Sequence, residues 1–186
     1  MMALHKGLFR VQFRYFLLYF LFGINLVACS SVDPSTYEDQ LPKFEFNKFL
    51  QGNLTGWGIF QGRDGEVQKR FRIDMTANWE GNVGSFVENF TFNDGTKQVR
   101  KWVLTRIDDH HYTGKANDSV GEGKGEVRGN SMHWYYTIKT KTESGTYDLD
   151  YDYWMHMVDD KTLINRATLS KYGFTLGDIA VTFHKQ

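Results

Sequence analysis

From residue 43 to the C-terminus the chain has no proline, and through three long runs its apolar residues recur at every second position. Proline removes a donor from a strand ladder, so its absence suits long continuous strands. Period-two alternation marks a strand with one buried face. Over 66–79, Val67, Phe71, Ile73, Met75, Ala77 and Trp79 oppose Gln68, Arg70, Arg72, Asp74, Thr76 and Asn78. Over 131–141, Met132, Trp134, Tyr136 and Ile138 oppose Ser131, His133, Tyr135, Thr137 and Lys139. Over 146–157, Tyr147, Leu149, Tyr151, Tyr153, Met155 and Met157 oppose Asp148, Asp150, Asp152, Trp154 and His156. Weaker runs cover 55–61, 83–92, 97–107, 112–117, 123–128, 163–172 and 177–184.

The segments between these runs have hairpin chemistry. Arg63-Asp-Gly65, Glu80-Gly-Asn82, Asn93-Asp-Gly95 and Glu143-Ser-Gly145 are short and rich in residues that tolerate positive φ. Asp108-Asp109 and Asp159-Asp160 each sit where one strand must turn into the next. Lys43–Leu50 reads as one short helical turn with Phe46, Phe49 and Leu50 on one side. The expectation is an all-β chain, a single antiparallel β-barrel of 8–10 strands with at most one short helix besides the N-terminal segment. A meander of that length hides its edges by closing on itself; a two-sheet sandwich is the alternative.

Residues 1–28 are of another kind. Lys6, Arg10 and Arg14 precede an almost wholly apolar run, Tyr15 to Ala28, with no acid. This is the charged region and apolar core of a secretory signal. As a helix the run is about 21 Å long, short for a membrane span. Leu26-Val-Ala-Cys29 follows and resembles the lipobox of a bacterial lipoprotein; Cys29 is the one cysteine of the chain. The resemblance implies that Cys29 becomes the mature N-terminus and carries acyl chains, an anchor to the membrane. Ser30 and Ser31 after it favour the outer membrane of a Gram-negative cell, facing the periplasm. Residues 29–43, with both prolines of the chain, Pro34 and Pro42, read as a flexible tether, and 44–186 as the barrel domain.

Several chemistries find no support. A single cysteine excludes a disulfide scaffold. A formal net charge of zero gives no basic excess for nucleic acid. The histidines show no HxH or HExxH spacing, so no metal site is expected. Gly121-Glu-Gly-Lys-Gly-Glu-Val-Arg-Gly129 is not a phosphate loop, because no Ser or Thr follows its Lys and no helix follows its glycines. Glycines 121, 123 and 125 instead leave room on one strand face for close approach. No cofactor is expected, and the oligomeric state is open.

What remains is aromatic content, 16% of the chain. Small barrels are either filled by such side chains or enclose a cavity lined by them. Trp134, Tyr136, Tyr147, Tyr151 and Tyr153 are the candidate ligand-binding set, since Tyr and Trp combine an apolar wall with a polar tip. Asp148, Asp150 and Asp152 share one strand face about 7 Å apart, a spacing open to acid–base chemistry. Pairing across Asp159-Asp160 would bring Asp152 near Arg166, an expected cross-strand ion pair or hydrogen bond, structural rather than catalytic in role.

The lipobox Cys29, Phe49-Leu-Gln-Gly-Asn-Leu-Thr-Gly-Trp-Gly58, Gly114-Lys-Ala-Asn-Asp-Ser-Val-Gly121, Gly129-Asn-Ser-Met-His-Trp-Tyr-Tyr136, Asp152-Tyr-Trp-Met155, Asp159-Asp-Lys-Thr-Leu-Ile-Asn-Arg166 and Lys171-Tyr-Gly173 together resemble a family of Gram-negative lipoproteins, the domain-of-unknown-function family 3833. The resemblance brings no activity. It implies proximity to lipid, because members of that family tend to be encoded among enzymes that modify membrane fatty acids. The barrel is also lipocalin-like by analogy, but the lipocalin Gly-x-Trp opening is not kept: Gly56 and Trp57 are adjacent. Three functions are therefore in play. The favoured one is binding of a lipid, fatty acid or other small amphiphile in envelope lipid maintenance. The alternatives are a ligand-free interaction module and a hydrolase or isomerase using Asp148, Asp150 or Asp152.

Overall fold

The computed structural model describes residues 32–142 and 144–186. The expected signal segment and Cys29, with the acylation expected there, lie outside the described residues. Ten strands follow in order: β1 Gly52–Gly62, β2 Val67–Glu80, β3 Val83–Phe92, β4 Lys97–Arg106, β5 His111–Ala116, β6 Gly123–Arg128, β7 Ser131–Thr142, β8 Gly145–Met157, β9 Thr162–Lys171 and β10 Phe174–Lys185. Each pairs antiparallel with its neighbour in sequence, and β10 pairs with β1 from Leu54↔Lys185 to Gly62↔Gly177, closing the barrel. The sandwich alternative is thereby set aside.

Alternation decides which side is in. Along β2, Ile73, Met75 and Ala77 are buried while Arg70, Arg72, Asp74, Thr76 and Asn78 are exposed. Along β7, Met132, Trp134, Tyr136 and Ile138 are all buried. An apolar interior with a charged outer wall is the reverse of the membrane-spanning barrel, whose lipid-facing band is apolar.

The two ends differ. At the first, here the mouth, β1–β2 and β3–β4 close by the same device. Gly65 and Gly95 take positive φ, and the preceding Asp64 and Asp94 accept from the backbone N–H of Glu66 and Thr96 at 3.0 and 2.9 Å. At the second, the floor, a single-turn helix α1, Phe46–Phe49, is inserted. Phe44, Phe46, Phe49 and Leu50 are all buried there. The Phe46 ring packs against Tyr112 at 4.9 Å, and against Trp79 and Phe86 beyond. Burying such side chains stabilises by roughly 1.5–3 kcal/mol each, so the floor is held by contacts of the kind that hold a core.

The flexible tether expected over 29–43 needs correction from Asp33 onward. Asp33 caps a 3-10 turn, Pro34–Tyr37. Tyr37 lies on Trp154 and His156, with ring centroids at 5.6 and 5.3 Å. Glu38 pairs with Arg128 at 3.2 Å, and the Phe44 N–H donates to the Gly129 carbonyl at 2.7 Å. The segment is a strap along the β6–β7 turn. Gly129 has φ +52, and a Cβ there would collide with the Tyr37 carbonyl, so the strap sits where only glycine lets the backbone come close.

Candidate functional site

The apolar faces of the ten strands do not meet. They enclose a cavity of about 930 Å³, toward the upper end of the roughly 300–1,000 Å³ typical of small-molecule sites. Trp134, Tyr136, Tyr151 and Tyr153 line it. Tyr136 and Tyr151 are cross-strand partners and stack at 4.9 Å with planes 13° apart. Trp102 meets Tyr136 edge-on at 5.2 Å and Trp134 at 6.1 Å. Gly125 lies beneath the Trp134 ring, where a Cβ would clash, and Gly123 packs tightly against Tyr136 and Trp134, which is the close approach expected of that glycine run; Gly121, with open space around it, takes no part. Tyr147 is placed apart. It stands at the mouth end of β8, its hydroxyl donating to the Ser144 carbonyl at 3.1 Å and the Lys171 ammonium 3.7 Å above its ring.

The interior also holds polar groups that the sequence reading did not single out. Glu88 and Arg100 are cross-strand partners on β3 and β4, and both face the cavity. Arg100 donates from Nε to both carboxylate oxygens of Asp118 at 3.0 Å, and this pair is largely buried, 12% and 17% exposed. Burial pushes the Glu88 carboxyl above the ordinary glutamate range; the Arg100 guanidinium and a bond from Trp102 oppose the rise without cancelling it. Burial likewise raises the Tyr136 and Tyr153 hydroxyls, so both stay protonated, and for Tyr153 the bond from Asn165 counters part of the rise. Asn165, 2% exposed, donates from Nδ2 to the Tyr153 hydroxyl at 2.8 Å, and its Oδ1 has no partner.

Parity was the available signal. Glu88 falls between Phe86 and Phe90 on the inward face of β3, and Arg100 stands two residues from Trp102 on β4. A charged residue at an apolar-parity position is the mark of an internal polar group.

Asp152 and Arg166 are not brought together. Asp152 stands opposite Thr168, and Arg166 opposite Trp154. Asp152 instead bonds His133 Nε2 at 2.6 Å across β7 and β8, and Arg166 lies 3.6 Å from Asp178 of β10 in an exposed pair. Asp148, Asp150 and Asp152 all project from the outer wall. Asp148 is exposed, and Asp150 accepts from Thr137 Oγ1 at 2.7 Å. On that wall His133 stacks on Trp154 at 4.4 Å, and His156 bonds Ser131 Oγ at 2.7 Å. The serine–histidine and histidine–aspartate pairs are separate, one on either side of Trp154, and do not link into a relay of the Ser–His–Asp kind. Burial lowers the His156 imidazole. Among the described residues no three His, Cys, Asp or Glu are grouped as metal ligands.

Fold and site together define a closed antiparallel barrel with a plugged floor and an aromatic-walled internal cavity. The chain belongs to the family described as "Protein of unknown function (DUF3833)", whose model matches residues 23–185. No significant match was found among curated proteins. Among solved structures the barrel is similar to the S-type phycobiliprotein lyase CPES from Guillardia theta, at 5% identity and a TM-score of 0.58, covering 83% of this chain and 99% of that one. It is also similar to Rv2717c from M. tuberculosis, at 14% identity and a TM-score of 0.54, covering 80% and 99%. At these identities the likeness is one of fold.

Proposed function

We propose that this protein binds one lipid, fatty acid or comparable small amphiphile inside the barrel and serves envelope lipid maintenance from a lipid anchor at Cys29. The observation that carries the reading is the cavity of about 930 Å³, apolar and aromatic over most of its wall with a few convergent polar groups. Small-ligand sites have this make-up. A filled interaction module would have its aromatic rings interdigitated without such a space. The hydrolase or isomerase reading loses its named residues, since Asp148, Asp150 and Asp152 point away from the cavity.

The proposed location rests on residues outside the described ones. The charged and apolar start, the Leu26-Val-Ala-Cys29 sequence and the serines after it support acylation and residence on the periplasmic face of the outer membrane. The water-facing outer wall of the barrel is consistent with that placement.

Two experiments test the two halves. Protein purified from its own membrane is weighed by native mass spectrometry, then extracted for lipid. A stoichiometric co-purifying amphiphile is expected; repeated recovery of the bare chain, with no uptake of a fluorescent fatty acid, overturns the binding half. For the anchor, metabolic labelling with a radioactive fatty acid should mark the wild type and leave Cys29→Ser unlabelled. An unlabelled wild type overturns that half.

A further inference from the structure

The interior polar groups restrict the head group of the bound amphiphile, an inference that rests on the binding reading above. Asn165 Oδ1 is a buried acceptor without a partner on the cavity wall. Leaving such a group unpaired is costly, and a ligand that donates to it removes the cost. Arg100 stands on β4, with four strands between it and β9 in either direction round the barrel, so it is on the opposite wall. Its Nε is engaged by Asp118, while its terminal nitrogens make no hydrogen bond among the described residues. A guanidinium has only donors to offer. One wall therefore asks the ligand for a donor and the other for an acceptor.

Charge separates the head groups that meet this demand. Three of the lining cations, Lys69, Lys139 and Lys141, are exposed toward the mouth; inside, the buried cation is Arg100, which stands between two carboxylates, Glu88 and Asp118. The cluster is singly negative with Glu88 ionised and neutral with Glu88 protonated. It is never positive. A carboxylate or phosphate brought in by the ligand would be a desolvated anion beside a cation already matched, which is an unfavourable burial. An uncharged group with several hydroxyls supplies donor and acceptor together.

We propose that the cavity selects amphiphiles with an uncharged, hydroxyl-bearing head of the acylglycerol type, one hydroxyl donating to Asn165 Oδ1 and another accepting from Arg100. The acyl chain lies against apolar wall such as Phe71, Phe90 and Ile179. Single-chain acids are the poorer ligands at neutral pH.

The test is a competition. The full chain is released in a volatile ethylene-glycol detergent, given monoolein and oleate in equal amount at neutral pH, and its one-to-one adducts are weighed by native mass spectrometry. The monoolein adduct should exceed the oleate adduct by about tenfold, the effect of one well-placed hydrogen bond. Asn165→Leu, close in volume and without the orphan oxygen, should bring the two adducts toward parity while keeping total occupancy. Arg100→Met is the second variant: it removes the donor and leaves Glu88 and Asp118 without their cation, so the monoolein adduct should weaken and the oleate adduct should not gain. An oleate adduct that equals or outweighs monoolein in the wild type overturns the head-group assignment and leaves amphiphile binding standing. No adduct of either kind overturns both.

Discussion

Glu88 and Arg100 put a charge pair where an apolar strand face should be continuous, and the consequence is a pH dependence. Burial raises the Glu88 pKa in the folded barrel above its ordinary value of 4.5, with Arg100 opposing. The folded state then holds the proton more tightly than the unfolded chain. The stability from this group is fully present below pH 4.5 and is lost as pH rises through the folded value. Glu88→Gln removes that loss. Its melting temperature should match the wild type in mild acid and exceed it increasingly toward neutrality, by about 2–4 °C for each kcal/mol in a chain of this size. A variant less stable than the wild type at neutral pH would mean that ionised Glu88 is a net stabilising partner of Arg100. At this scale the sequence was partly legible. Trp134, Tyr136, Tyr151 and Tyr153 line the cavity because parity places every second residue of β7 and β8 inside. Tyr147 has the right parity but the wrong height, at the rim. Height within a barrel follows from strand stagger, which alternation does not encode.

Among the elements, α1 carries the largest testable contribution. Phe46 is 2% exposed and packs against Tyr112, Trp79 and Phe86 at the floor. Phe46→Ala should cost about 3–5 kcal/mol, read as a shift in the urea midpoint at unchanged slope. A cost under about 1 kcal/mol would mean that the barrel stands without its plug. All ten strands were readable, three from clear alternation and seven from weaker runs bounded by turn residues. Register was less so. A two-residue turn at Asp159-Asp160 would set Asp152 near Arg166, but Val158 and Thr162 close a three-residue turn, and Met157 pairs with Leu163. Asp159 stabilises that longer turn by accepting from the N–H groups of Lys161 and Thr162 at 2.9 and 2.7 Å. The strap was legible as a Pro-bearing segment, not as a docked one, because its partners Trp154, His156 and Arg128 are about a hundred residues away.

At the scale of the whole molecule, nine pairings between sequence neighbours and one long-range closure, β1 on β10, produce a wall with no open edge. The wall is too wide for its aromatic lining to fill, and this surplus of space is what the binding reading rests on. Neither the closure nor the cavity can be deduced from alternation, which gives the inward residues without saying how far apart opposite walls stand. Two of the tryptophans, Trp102 and Trp134, line the cavity, so they report directly on whether a ligand enters it. Bromine quenches indole fluorescence only at close range. Titration with a monoacylglycerol brominated in its acyl chain should quench these two in a saturable way, ending at one ligand per chain. The quenching should disappear when both are replaced by Phe, although Trp57, Trp79 and Trp154 remain. Quenching that never saturates, or that survives the double replacement, would contradict an amphiphile held inside the barrel.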